Sequence, residues 1–126
     1  MSKLIYIFLG AGVGGLLRYG LGGLAQQAWG SGFPMGTLVV NVSGCLAIGF
    51  LATAFEGPWL VREDVRMGIL IGVLGGYTTF SSFGRETIQL FHDGRPATAA
   101  TYVVLSNAIA IIATWIGYLT AKRLLT

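Results

Sequence analysis

The sequence predicts an all-α membrane protein of four transmembrane helices, the third of them broken near Gly75–Phe83. Three observations predict it. Of 126 residues, 54% are hydrophobic and only 10% charged, whereas soluble domains carry roughly 25% charge. The apolar residues gather into four stretches, Leu4–Ala25, Met35–Phe55, Met67–Phe91 and Ala97–Ala121. Each is long enough to cross a bilayer, which takes roughly 20 helical residues. The connecting segments AQQAWGSGF, EGPWLVRED and HDGRP are short and carry glycine, proline, tryptophan or charge, as interfacial turns should. Residues 1–126 are therefore expected to form a single transmembrane domain, with no soluble domain beside it.

The first stretch starts directly after MSK, without a small-residue cleavage pattern, and reads as a retained helix. It contains GAGVGG, Gly10 to Gly15, which fits a dinucleotide fingerprint. That fingerprint needs an acid about 20 positions on for the ribose, but the first acid is Glu56 and the intervening chain is another apolar span. Gly10, Gly14 and Gly22 instead suit close helix approach in lipid. Arg18 is the one charge well inside this stretch. It reads either as an electropositive vestibule residue or as a side chain snorkelling to the interface.

In the second stretch, GTLVVNVSG places Thr37 and Asn41 four apart, hence on one helical face. The Asn41 amide offers two N–H donors for a helix contact or for an anion that has lost water. The lone Cys45 between Gly44 and Leu46 cannot form an intrachain disulfide and reads as a small packing residue.

The third stretch stops being apolar midway, at LGGYTTFSSFGRE. Gly75 and Gly76 predict a break there. Irregular backbone at membrane depth is tolerated only against protein or a water-filled cavity, and broken helices offer carbonyls to cations and amides to anions. Phe80 and Phe83, three apart on the resumed helix, could present positive ring edges to an anion beside the Ser81 hydroxyl.

In the fourth stretch Tyr102, Ser106, Ala110 and Thr114 recur every four residues, so that three hydroxyls share one side, with Asn107 one step around. Facing Thr37 and Asn41, they read as a polar file. No carboxylate lies deep in a span, which argues against proton-coupled cation export. His92 stands alone, and no nucleophile has a base, so the chain reads as no enzyme. Its net charge of +3 includes no basic stripe with interleaved aromatics, which excludes a nucleic-acid partner. Lys3, Arg62, Arg66, Lys122 and Arg123 would face one side of the membrane, and Arg18, Arg85 and Arg95 the other. So weak a bias predicts insertion in both orientations and antiparallel pairing.

Taken together, GTLVVN, GGYTTFSSFGRE and the Tyr102/Ser106 stripe resemble the Fluc (CrcB) family of fluoride channels over essentially the whole chain. That resemblance implies a multi-pass protein of the bacterial plasma (inner) membrane, a dual-topology antiparallel homodimer with two fluoride pores. It also implies passive export of fluoride from the cytoplasm. A structural sodium ion would be held by backbone carbonyls at Gly75 and Thr78. Asn41, Phe80, Phe83, Tyr102, Ser106 and Thr114 would line the pore, Arg18 its vestibule, and Thr37 and Glu86 its far end. Ala110 departs from the family pattern, where a second serine is common; that departure implies either slower conduction or compensation by Asn107 or by a third-helix hydroxyl such as Ser81. A small multidrug exporter would need a carboxylate in the first stretch, where Arg18 is the only charge, and an accessory protein would not align its polar residues on facing helices.

Overall fold

The computed structural model describes residues 1–126, and the chain is all helix and turn. Four helical segments are long and apolar enough to cross a membrane: Ser2–Trp29, Met35–Glu56, Glu63–His92 and Pro96–Leu125. They are α1 (Ser2–Trp29), α2 (Met35–Glu56), a composite third span, and α6 (Pro96–Leu125). The third span comprises α3 (Glu63–Met67), wide π-type turns over Gly68–Leu74, α4 (Gly75–Tyr77) and α5 (Phe80–His92). The first, third and fourth spans extend the expected ones by several residues and the second by one, because helical hydrogen bonding continues past the hydrocarbon edge into the interfacial residues.

Only 21 of 126 residues are buried within the chain, and Leu16, Leu24, Val104 and Ile111 are among the many large apolar side chains left exposed. A water-soluble protein could not leave that surface uncovered. In a bilayer lipid solvates it, and the helices associate by close packing of small residues. Two seams do this. Gly10 and Gly14 of α1 lie against the backbone of Gly68, Gly72 and Val73, and Gly76 lies against Ala11. Between α2 and α6, Gly49 meets the Thr114 carbonyl and Gly117 meets the Leu46 carbonyl. In neither seam is there space for a side chain. Of the glycines of the nucleotide-like motif, Gly10 and Gly14 are thus packing residues, as their helical context implied, whereas Gly12 and Gly15 face open space.

The third span does break, but not at its glycines. Gly75 is helical (φ −65°, ψ −36°), and the chain becomes extended at Thr78 (ψ 156°) and Thr79 (φ −151°, ψ 113°). Gly76 is explained by its contact with α1, where any Cβ would strike the Ala11 carbonyl.

At one end of the bundle lie three ion pairs, two of which link different spans. Lys3 pairs with Glu63 at 3.0 Å, Arg62 with Asp64 at 2.5 Å, and Arg66 with Glu56 at 3.6 Å. At the opposite end, Gln26 closes the α1–α2 turn. Its amide donates to the carbonyls of Gly30 (2.5 Å) and Phe33 (2.9 Å) and accepts from the Gly36 N–H (3.0 Å).

Candidate functional site

The break is built by side chains that replace the missing helical hydrogen bonds. In a continuous helix the Thr79 N–H would donate to the Gly75 carbonyl. Here it donates to Asn41 Oδ1 at 2.8 Å, while Asn41 Nδ2 donates to the Thr79 carbonyl at 3.0 Å. The amide of α2 thus pairs with one residue's backbone as a neighbouring strand would. Thr79 then caps the resumed helix: its hydroxyl accepts from the Ser82 N–H at 3.1 Å and donates to Ser82 Oγ at 3.0 Å. A threonine N-cap satisfies one of the amides that a helix start leaves free. Asn41 has one N–H left over, and Gly75 has a carbonyl without its regular partner.

Two cavities meet at this break, and Thr79 lines both. The larger, about 340 Å³, is walled by Asn41, Gly75, Thr78, Phe80, Phe83 and Ser106 among others. Phe83 is buried, whereas Phe80 is 78% exposed. Their rings are tilted by 43° with centroids 5.3 Å apart, and Phe83 continues to Tyr102 at 5.1 Å and Tyr102 to Phe33 at 5.4 Å. The smaller cavity, about 230 Å³, is lined by Arg18, Gln26, Thr37, Ser82 and Glu86 as well as Thr79. Arg18 has no ion-pair partner within 4.0 Å and lines this space. Glu86 Oε2 accepts from the Thr37 hydroxyl at 2.9 Å and Oε1 from the Tyr102 hydroxyl at 3.3 Å.

The structure brings Asn41, Phe80, Phe83, Ser106, Gly75 and Thr78 to one cavity and Arg18, Thr37 and Glu86 to the other. Tyr102 joins them by bridging from Phe83 to Glu86. Ser81 is exposed and lines neither cavity, its hydroxyl 3.3 Å from that of Thr79. The polar file on α6 is less uniform than its spacing suggests. Ser106 Oγ is buried without any hydrogen-bond partner, beside Ala110 in the wall of the larger cavity. Thr114 lies beyond that cavity and donates back to the Ala110 carbonyl at 3.0 Å, and Asn107 donates to Val103 at 2.8 Å. Such back-bonding is the usual fate of hydroxyls in membrane helices. Sequence reasoning missed Thr79, Ser82 and Gln26. The T-x-x-S spacing of Thr79 and Ser82 is an N-cap signal that could have found the first two.

Carbonyl oxygens without helical partners suit a hard, weakly held cation, and no cluster of three or more His, Cys, Asp or Glu side chains offers an alternative metal site. Free amide and hydroxyl donors around the same break suit a small anion.

A family model described as CrcB-like protein, Camphor Resistance (CrcB), matches residues 5–118. The chain is similar to proteins named fluoride-specific ion channel FluC. It is 46% identical to that of Opitutus terrae over 98% of this chain and 96% of the relative. It is 44% identical to that of Rhodospirillum rubrum over 92% and 93%, and 41% identical to that of Geobacter metallireducens over 98% and 100%.

Proposed function

The chain belongs to the CrcB family, and on that premise we propose that it is a fluoride-selective ion channel of the bacterial inner membrane rather than an enzyme. Fluoride would leave the cytoplasm passively, down its electrochemical gradient. The observation that carries the reading is the break itself: two cavities meet at Thr79, one holding the unpaired Arg18, the other the free amide hydrogen of Asn41 and the unpartnered Ser106 hydroxyl. Fluoride is small and strongly hydrated, so a pore must replace its water with close donors. Arg18 draws the anion into the vestibule, where Thr37 and Glu86 hold its wall. Asn41, Ser81 and Ser106 supply hydrogen bonds beyond it, the edges of Phe80 and Phe83 a weak positive field. Thr114 and Tyr102 extend the line of hydroxyls towards the two ends.

The functional unit of this proposal is an antiparallel, dual-topology homodimer with two pores. Gly75, Phe80, Ser81 and Asn107 are exposed on the single chain, and broken backbone is not left against lipid. A second copy of the chain would cover it. The topology signal agrees, because three of the five cations at the charged end are paired with acids. A structural sodium ion would bind the backbone carbonyls of Gly75 and Thr78, supplying fixed positive charge near the pores and tying the break in place.

Efflux from fluoride-loaded liposomes, read with a fluoride electrode against an identical chloride run, tests the reading. Rapid fluoride release without chloride release supports it. No fluoride release from folded protein refutes it.

A further inference from the structure

Tyr77 is buried, 8% exposed, in the last helical position before the break. Its hydroxyl lies 2.8 Å from Ser43 Oγ on α2. Ser43 donates to the Val40 carbonyl at 3.1 Å, which fixes the direction of the pair: Tyr77 donates to Ser43, and Ser43 donates onward to the backbone of α2. Gly44, the next residue, lies directly beneath the Tyr77 ring and the Thr78 methyl group, where a Cβ would collide with that methyl. One turn of α2 therefore grips both sides of the break. Asn41 holds Thr79, the first residue of the far side, and Ser43 with Gly44 holds Tyr77 and Thr78, the last of the near side. Between these two grips the chain has only the extended Thr78–Thr79 step, so their spacing on α2 sets how the Gly75 and Thr78 carbonyls stand against the Phe80 ring.

From this geometry we infer that Tyr77 and Ser43 are positioning residues for conduction: their hydroxyl pair fixes the near side of the break and so holds the pore in its conducting shape. Neither residue lines either cavity at the break; Ser43 borders a separate cavity between α2 and α6. The inference rests on the channel reading above. It goes beyond that reading in giving a role to a buried phenol that the polar file does not use.

The test is a coupled series in proteoliposomes: Tyr77→Phe, Ser43→Ala, the double variant, and Ser43→Thr, each normalised to folded protein by size-exclusion chromatography. Loss of one ordinary hydrogen bond corresponds to about a fivefold change in an equilibrium. Fluoride efflux should therefore fall about fivefold in Tyr77→Phe and in Ser43→Ala. The double variant should lose no more than either single one, and Ser43→Thr, which keeps the hydroxyl, should conduct like the wild type. Should Tyr77→Phe not fold, the contrast between Ser43→Ala and Ser43→Thr decides alone. Singles that conduct at the wild-type rate overturn the inference, as do losses that multiply to about twenty-five-fold in the double variant. Failure of the channel reading looks different, because the wild type itself would then release no fluoride.

Discussion

Replacing Asn41 attacks the break at its most specific bond. In Asn41→Ala both hydrogen bonds to Thr79 disappear, the 2.8 Å bond from its N–H and the 3.0 Å bond to its carbonyl. At about 1 kcal/mol net for each bond, the far side of the break loses about 2 kcal/mol of fixation. Every 1.4 kcal/mol is tenfold, so the correctly held population falls about thirtyfold if water from the adjoining cavities solvates the freed groups. Asn41→Asp separates geometry from mere size. It keeps the acceptor for the Thr79 N–H but turns an oxygen towards the Thr79 carbonyl, where the amide had a donor. That lone-pair repulsion makes the near-isosteric variant at least as damaging as alanine. Fluoride efflux from liposomes reads the loss, and thermal unfolding in detergent reads the accompanying fall in stability. Asn41→Asp with wild-type efflux and wild-type unfolding would refute the argument that the amide pairs with the Thr79 backbone.

Other outcomes are expected from the same structure. Ser106→Ala removes a buried hydroxyl without a partner, which ordinarily costs about 1–3 kcal/mol. The variant should unfold at a higher temperature yet release fluoride more slowly, because the hydroxyl is kept for the ion. Gly49→Val drives a side chain into the Thr114 carbonyl across the α2–α6 seam, so folded protein should vanish from size-exclusion profiles, whereas the same change at Gly23, which faces open space, should be tolerated. Phe80→Ile keeps an apolar side chain but loses the ring edge, and should abolish most efflux while the protein remains folded. Thiol labelling of single cysteines placed at Ser2 and at Asp93, in a Cys45→Ala background, should find both positions accessible from both sides of the membrane.

The fold was legible in the sequence because its dominant cause is local: four apolar runs of membrane length with turn residues between them. The break was legible from the change of composition after Leu74, but its position was not. Glycine is the obvious breaker from propensity alone, yet Gly75 and Gly76 stay helical, and Gly76 is glycine because α1 packs so closely that no Cβ fits there. The residues that open the helix are Thr78 and Thr79, and they do so because Asn41, 38 residues away, takes the hydrogen bonds. No period or propensity carries that information. Asn41 itself was legible as an amide needing partners, whereas its commitment to backbone left it one free donor, fewer than spacing suggested. Likewise the four-residue repeat on α6 placed Tyr102, Ser106 and Thr114 on one side, but could not say that Thr114 bonds back to its own helix and Ser106 alone stays unpaired.

The most direct test of the central claim is the reversal potential of wild-type channels in a planar bilayer, with fluoride on one side and an equal concentration of chloride on the other. A pore whose donors fit only the smaller ion gives a large potential of the sign that fluoride diffusion sets, and no measurable chloride current. A reversal potential near zero would mean that both anions pass alike, and would contradict the reading of Asn41, Ser106 and the two phenylalanines as a fluoride filter.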